Sequence, residues 1–324
     1  MKFNLKKILL VLLVIVVAGA GYFIWMSTTT DVEIDEDDYV AIEDRGYENP
    51  EALISAEELN EIKDQDDVVV LDFRREDQYL LGHIPGALQL WRPDVSDDDH
   101  EYDGMRISRQ GLANWLGDNG ISPDDTVVIY TEGGGHDAAR MWWLMERLGH
   151  EDIRLLDGGI DYWRAADYDT ELSPNNREAV DYEFEDEDIN EDLLASVEDV
   201  RDAVDDQDTI ILDTRSKEEH TGEKTESGAA RAGRIPSRHY LEWNEAVDEQ
   251  NLLKSTDELE EMYEEEGVND DKAVIPYCQS GVRSAHTTFV LTQLLGYDDV
   301  KNYDGSWIEW SHRDDLEIET GESS

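Results

Sequence analysis

No charged residue occurs from Ile8 to Trp25, and after that point apolar residues come in short runs between acidic ones. As a helix the first run spans about 27 Å, enough to cross the hydrocarbon core of a bilayer. Lys2, Lys6 and Lys7 precede it, and Asp31, Glu33 and Asp35 follow. Residues 1–30 are therefore expected to form an N-terminal transmembrane helix, with the bulk of the chain outside the cytoplasm. Ala18-Gly19-Ala20 fits a signal cleavage site and gives the alternative, a secreted or periplasmic protein. Tyr22, Phe23, Ile24 and Trp25 extend the apolar run beyond that site and favour a retained anchor. Residues 31–49 read as an acidic linker.

The later pattern occurs twice. Ser55-Ala56-Glu57-Glu58 opens a helix with a capping box and leads to the strand-like run Val68 to Arg74. Ser196-Val197-Glu198-Asp199 leads in the same way to Ile210 to Arg215, and 141 residues separate both Ser55 from Ser196 and Asp72 from Asp213. Gly82-His83-Ile84-Pro85-Gly86 is answered by Gly233-Arg234-Ile235-Pro236-Ser237 after a ten-residue insertion. Val127 to Trp163 then parallels Val274 to Trp310, with Asp157-Gly158-Gly159 opposite Asp304-Gly305-Ser306. Short apolar strands alternating with helices predict an α/β fold, each copy a mainly parallel sheet flanked by helices. The copies cover residues 50–172 and 189–324. Pro174, Asn175 and Asn176 mark a linker over 173–188.

Composition narrows the function. A hydrophobic content of 39%, with nine Trp and fourteen Tyr, excludes a disordered chain despite 33% charged residues. The net charge of −53 makes nucleic acid and anionic membrane surfaces poor partners. Such self-repulsion is largely screened at about 1 M salt, where the Debye length is about 3 Å, so a salt-loving host is expected. Asp99-His100-Glu101-Tyr102-Asp103-Gly104 resembles the start of a calcium loop, but Gln110 stands where the bidentate glutamate belongs. No metal or organic cofactor is called for, and a monomer is the expected state.

One position stands out chemically. Cys278 is the only cysteine, and it sits between the apolar run Ala273 to Ile275 and a helix-like run from Ser284 to Leu295. A loop of this kind aims backbone N–H groups and a helix N-terminus at the sulfur, which stabilises a thiolate. Backbone donors from Gln279, Ser280, Gly281, Val282 and Ser284, together with the Arg283 guanidinium, would also stabilise developing negative charge. The first copy has Thr131 at this position, followed by Glu132 and three glycines, and is expected to be non-catalytic. Arg215, Lys217, Lys224, Arg231, Arg234 and Arg238 fall within one 24-residue stretch, and Arg234 and Arg238 are the leading candidates to bind an anionic substrate. Trp142, Trp143, Trp307 and Trp310 have the spacing of core residues.

The paired Leu-Asp-x-Arg strand ends, the Gly-His-Ile-Pro-Gly segment, the Cys278 loop and Asp304-Gly305-Ser306-Trp307 resemble the tandem-domain rhodaneses over roughly residues 50 to 315. These are the thiosulfate and mercaptopyruvate sulfurtransferases. The resemblance implies two rhodanese-like domains and double displacement through a Cys278 persulfide, with thiosulfate as donor and cyanide or a thiol as acceptor. Mercaptopyruvate enzymes typically read Cys-Gly-Ser-Gly-Val-Thr, whereas Gln279 and Arg283 replace that glycine and threonine here, which leans the donor towards thiosulfate. Mercaptopyruvate sulfurtransferase and a membrane-tethered persulfide carrier are the alternatives. Phosphatase loops read Cys-x5-Arg, one residue longer than the span from Cys278 to Arg283.

Overall fold

A computed structural model describes residues 39–237 and 239–321. The expected N-terminal membrane helix lies outside the described residues. Among those described, no helix is long and apolar enough to cross a membrane.

In the first half the chain runs β1 (Leu53–Ile54), α1 (Ala56–Ile62), β2 (Val68–Asp72), α2 (Glu76–Leu80), β3 (Leu88–Gln89), α3 (Arg109–Asp118), β4 (Thr126–Tyr130), α4 (His136–Leu148), β5 (Ile153–Leu156) and α5 (Gly159–Ala165). The second half repeats this as β6 (Leu194–Ala195), α6 (Val197–Ala203), β7 (Thr209–Asp213), α7 (Lys217–Thr221), β8 (His239–Tyr240), α8 (Thr256–Glu265), β9 (Ala273–Tyr277), α9 (Val282–Phe289), β10 (Asn302–Tyr303) and α10 (Ser306–His312). The first sheet is parallel throughout, in the order β1-β5-β4-β2-β3. Its central strands are buried on both faces, which is why Val68 to Leu71 is continuously apolar rather than alternating. Both expected capping boxes form: Ser55 with Glu58, and Ser196 with Asp199.

The second sheet has the same strand order but is split into β8-β7-β9 and β10-β6, linked by one bridge between Val274 and Val300. Pro276 is the cause. Val274 takes its hydrogen bonds from the β10 side, with its N–H on Asp299 and its carbonyl accepting from Lys301. Two residues further on, Pro276 faces the same side and has no N–H to offer. In the first copy Ile129 stands there, and the β4–β5 ladder continues to Ile129 opposite Leu155.

The halves share a core. One apolar cluster includes Leu71, Ile129 and Trp142 from the first half with Leu212, Val274 and Phe289 from the second. α4 packs on α9 at this junction, where Trp142 meets Phe289 edge-on at 5.0 Å. Two segments that read as linkers also belong to the fold. Arg45 pairs with Asp157 at 2.8 Å and Tyr47 caps the Leu253 and Lys254 carbonyls, so residues 39–49 tie the first half to the second. Tyr182 and Phe184 are buried in the shared cluster, and Arg177 donates to the Gly120 carbonyl. Trp142, Trp143, Trp307 and Trp310 are all buried, as their spacing predicts.

Candidate active site

Cys278 directly follows β9, and Gly281 caps α9 three residues later. Gly281 has φ +75°, and a Cβ there would lie 2.9 Å from both Arg140 Nη1 and Asp304 Oδ1, so this corner admits only glycine. The loop is pinned from below by Ser306, at the start of α10. Its Oγ accepts the N–H groups of Cys278 and Gly281, each at 3.1 Å, and donates to the Tyr303 carbonyl at 2.6 Å. The Trp307 and Ile308 N–H groups donate to the Cys278 and Gln279 carbonyls at 3.0 Å. These bonds satisfy the turn's polar groups on the α10 side, and the Ser280 and Ser284 N–H groups are the backbone donors to the sulfur.

The thiol is 1% exposed. Burial raises the pKa of Cys278, but the Arg283 charge, the Ser284 hydroxyl, and the Ser284 and Ser280 N–H groups outweigh it, and the net shift is downward. Ser284 Oγ donates to Sγ at 3.5 Å. Arg283 is held in turn by Glu219 of α7 in a bidentate pair at 2.7 and 2.8 Å. Glu219 is almost wholly buried and also forms a capping box with Ser216. Its own pKa is lowered, because Arg283 and Arg215 outweigh the effect of burial. Gln279 Nε2 donates to the Ser227 carbonyl at 3.2 Å, so the insertion unique to this copy braces the residue beside the nucleophile. Val282 is buried, and Ser280 meets Gly104 of the first half.

The structure therefore gathers Cys278, Gln279, Ser280, Gly281, Val282, Arg283 and Ser284 into one site. The basic cluster does not gather with them. Arg234 is buried, pairs with Glu319 at 3.1 Å and donates to the Gly321 carbonyl at 2.5 Å; it ties down the C-terminal segment and is withdrawn as a substrate ligand. Arg215 is spent on Asp213, at 2.6 Å, with Tyr277 and His220 on the same carboxylate. Arg231 donates to four carbonyls, those of Trp310, Ser311, Arg313 and Leu316. Lys224 pairs with Glu226, and Lys217 lies over the Tyr240 ring. Arg238 lies outside the described residues.

The corresponding loop of the first half differs in chemistry and length. It runs from Thr131 to Gly135, the cap of α4, and is one residue longer than the Cys278–Gly281 turn. Glycines 133, 134 and 135 all have positive φ. Gln78, the counterpart of Glu219, bonds Glu132 instead of an arginine. Ser306 and Glu219 escaped the sequence reading as site residues. Ser306 was visible only within the Asp-Gly-Ser-Trp motif, and Glu219 only as one acid among many.

A cysteine at the end of a parallel strand, in a turn of N–H donors capped by a helix and a cation, is a stabilised thiolate placed to act as a nucleophile. The sequence profile of the rhodanese-like domain matches residues 55–166 and 196–313. The chain belongs to the rhodanese-like family, and its two matched segments make it a tandem rhodanese of the sulfurtransferase type. It is 34% identical over 288 residues to the thiosulfate sulfurtransferase of Corynebacterium glutamicum, which covers 86% of this chain and 93% of that protein. It is 35% identical over 297 residues to the sulfur carrier protein TtuD of Thermus thermophilus, covering 86% of this chain and 99% of that one. Among solved structures it is similar to the anaerobic ergothioneine biosynthesis enzyme of Chlorobium limicola, with TM-score 0.76, 25% identity, and coverage of 85% of this chain and 71% of that one.

Proposed function

We propose that the protein is a thiosulfate sulfurtransferase in which Cys278 carries the sulfane sulfur as a persulfide. The Cys278 thiolate attacks the outer sulfur of thiosulfate. The S–S bond of the donor breaks, sulfite leaves with the bonding electron pair, and a Cys278 persulfide anion remains. Cyanide or a thiolate then attacks the terminal sulfur, and the Cys278 thiolate is regenerated with no net oxidation. Negative charge is present throughout. The observation that carries the reading is therefore the convergence of Arg283, the Ser284 hydroxyl and the Ser280 and Ser284 N–H groups on one buried sulfur.

Gln279, Ser280, Val282, Arg283 and Ser284 bind the donor, whereas Gly281, expected among them, has its N–H on Ser306 and its carbonyl on Arg140 and Asn302; the first half, with Thr131 at the reactive position, performs no chemistry of its own. No cofactor takes part. The protein acts as a monomer, tethered by residues 1–30 with its soluble part outside the cytoplasm or released there by cleavage, and it works in high salt. The threonine missing at Arg283 favours thiosulfate over mercaptopyruvate. A persulfide carrier is the second reading, supported by the likeness to the carrier TtuD. Steady-state thiosulfate-to-cyanide transfer separates them: a carrier takes up one sulfur per chain without turnover, and an enzyme gives parallel double-reciprocal plots. Turnover with mercaptopyruvate and none with thiosulfate would reverse the choice of donor.

A further inference from the structure

Two arginines of the first half reach the loop that holds Cys278 in the second. Arg140, on α4, lies 2.7 Å from Asp304 Oδ1 and donates from Nη1 to the Gly281 carbonyl at 3.3 Å. Arg106 pairs with Asp304 Oδ2 at 3.0 Å, and its backbone N–H donates to the same oxygen at 3.2 Å. The Arg140 and Asp304 side chains are each 3% exposed. Asn302 Nδ2 also donates to the Gly281 carbonyl, at 3.1 Å. In a trans peptide the N–H points opposite to the C=O, so holding this carbonyl turns the Val282 N–H away from Arg140. Two arginines thus share the one Asp304 carboxylate, and Arg140 is the one that also touches the loop.

The reciprocal contact is chemically different. His286, on α9, faces Gly134 in the first-half loop, and burial lowers its pKa to about 3, so it is neutral. Both side chains are buried where α4 meets α9, and packing alone gives no reason for one to be a permanent cation and the other a neutral ring. The cation goes to the loop with the cysteine.

We propose that Arg140 is a positioning residue for the Cys278 thiolate: held by Asp304, it fixes the Gly281 carbonyl and brings positive charge under the loop, so the site is built by both halves. This rests on the reading of Cys278 as the sulfur nucleophile and extends it by giving the first half a part in the chemistry. The charged and titratable groups around the loop are Arg283 with Glu219 of α7 and with Glu242 and His136 nearby, Arg215 with Asp213 of β7, and Arg140 and Arg106 with Asp304, beside which lie Glu309 and Arg147.

Because Cys278 is the only cysteine, the pH dependence of its alkylation by iodoacetamide reports its thiolate without any sulfur donor. In the full chain, Arg140→Met is expected to raise the alkylation midpoint by about half a pH unit or more and to slow sulfur uptake from thiosulfate about tenfold. Arg140→Lys restores the midpoint but not the full rate, since an ammonium keeps the charge without bridging Asp304 and Gly281. Arg106→Met shifts the midpoint in the same direction by less, and it decides the question if Arg140→Met does not fold. An unmoved midpoint in the folded variant overturns the proposal. A midpoint that moves in a protein that never takes up sulfur supports the charge coupling and refutes the sulfurtransferase reading instead.

Discussion

Ser306 makes the Cys278 turn possible, and its removal has a computable cost. Its hydroxyl is fully buried and serves two N–H donors and one carbonyl. Ser306→Ala leaves those three buried groups without this partner. At about 1–3 kcal/mol per unsatisfied buried group, partly relieved by relaxation, the loss of stability should be about 2–5 kcal/mol. That is a large share of a total that is typically about 5–15 kcal/mol. Ser306 also has φ +47°, while its counterpart in the first half is Gly159, at φ +54°. Ser306→Gly removes the left-handed penalty of about 1–2 kcal/mol but adds chain entropy of about 0.5–1 kcal/mol. Both variants lose the same hydrogen bonds, so Ser306→Gly should be more stable than Ser306→Ala by no more than about 1.5 kcal/mol. Urea unfolding followed by tryptophan fluorescence measures both, and persulfide formation in the folded fraction should slow in both. If Ser306→Ala unfolds at the wild-type midpoint and takes up sulfur at the wild-type rate, the Ser306 hydroxyl does not hold the turn.

Other consequences follow from the pairs around it. Arg283→Met removes the largest influence that lowers the Cys278 pKa, so the alkylation midpoint should rise and sulfur uptake at neutral pH should fall at least about tenfold; an unchanged midpoint contradicts the assigned role. Arg234→Met should lower the thermal midpoint by freeing the C-terminal segment while leaving the KM for thiosulfate unchanged, and a KM that rises more than threefold would return Arg234 to the substrate site. His286 has a folded pKa of about 3 against about 6.5 unfolded, so the unfolded chain binds its proton first as pH falls. Stability should consequently decline from about pH 6.5 towards pH 3, by an amount on the order of 4 kcal/mol, and His286→Gln should flatten that slope relative to wild type in urea titrations. Asp213 and Asp304 have lowered pKa values, with their arginine partners outweighing burial; they add acid sensitivity below about pH 4 in both proteins, and the difference between the two curves isolates the histidine.

The duplicated α/β plan is legible because its signals are local. Capping boxes at Ser55 and Ser196 lie within four residues, the buried strands are unbroken apolar runs, and the reactive turn is contiguous from Cys278 to Ser284. What supports the turn is not local. Its partners Ser306, Glu219 and Arg140 come from 28, 64 and 141 residues away in sequence, and no spacing rule links them to a cysteine. The basic stretch misleads for the same reason. Clustered arginines look like an anion site until Asp213, Glu319 and the carbonyls after Trp310 meet them in space. Asp213, two residues from Arg215, and Glu226, two residues from Lys224, are the partners in plain view. The apparent linkers hid their role in single residues, with Arg45 and Tyr47 in one and Tyr182 and Phe184 in the other, against an acidic background that dominates the average. Pro276 is visible in sequence, but its effect on the β9–β10 ladder depends on which neighbour its missing N–H would have faced.

The central claim is that Cys278 carries sulfur between two substrates. Intact-protein mass spectrometry of the protein and of Cys278→Ser, in high salt with thiosulfate and then cyanide, tests it most directly. One sulfur atom added to the wild type, removed by cyanide with release of thiocyanate, and absent from a folded Cys278→Ser is the predicted result. A serine variant that still turns over thiosulfate, or a folded wild type that takes up no sulfur from thiosulfate or mercaptopyruvate, would contradict it.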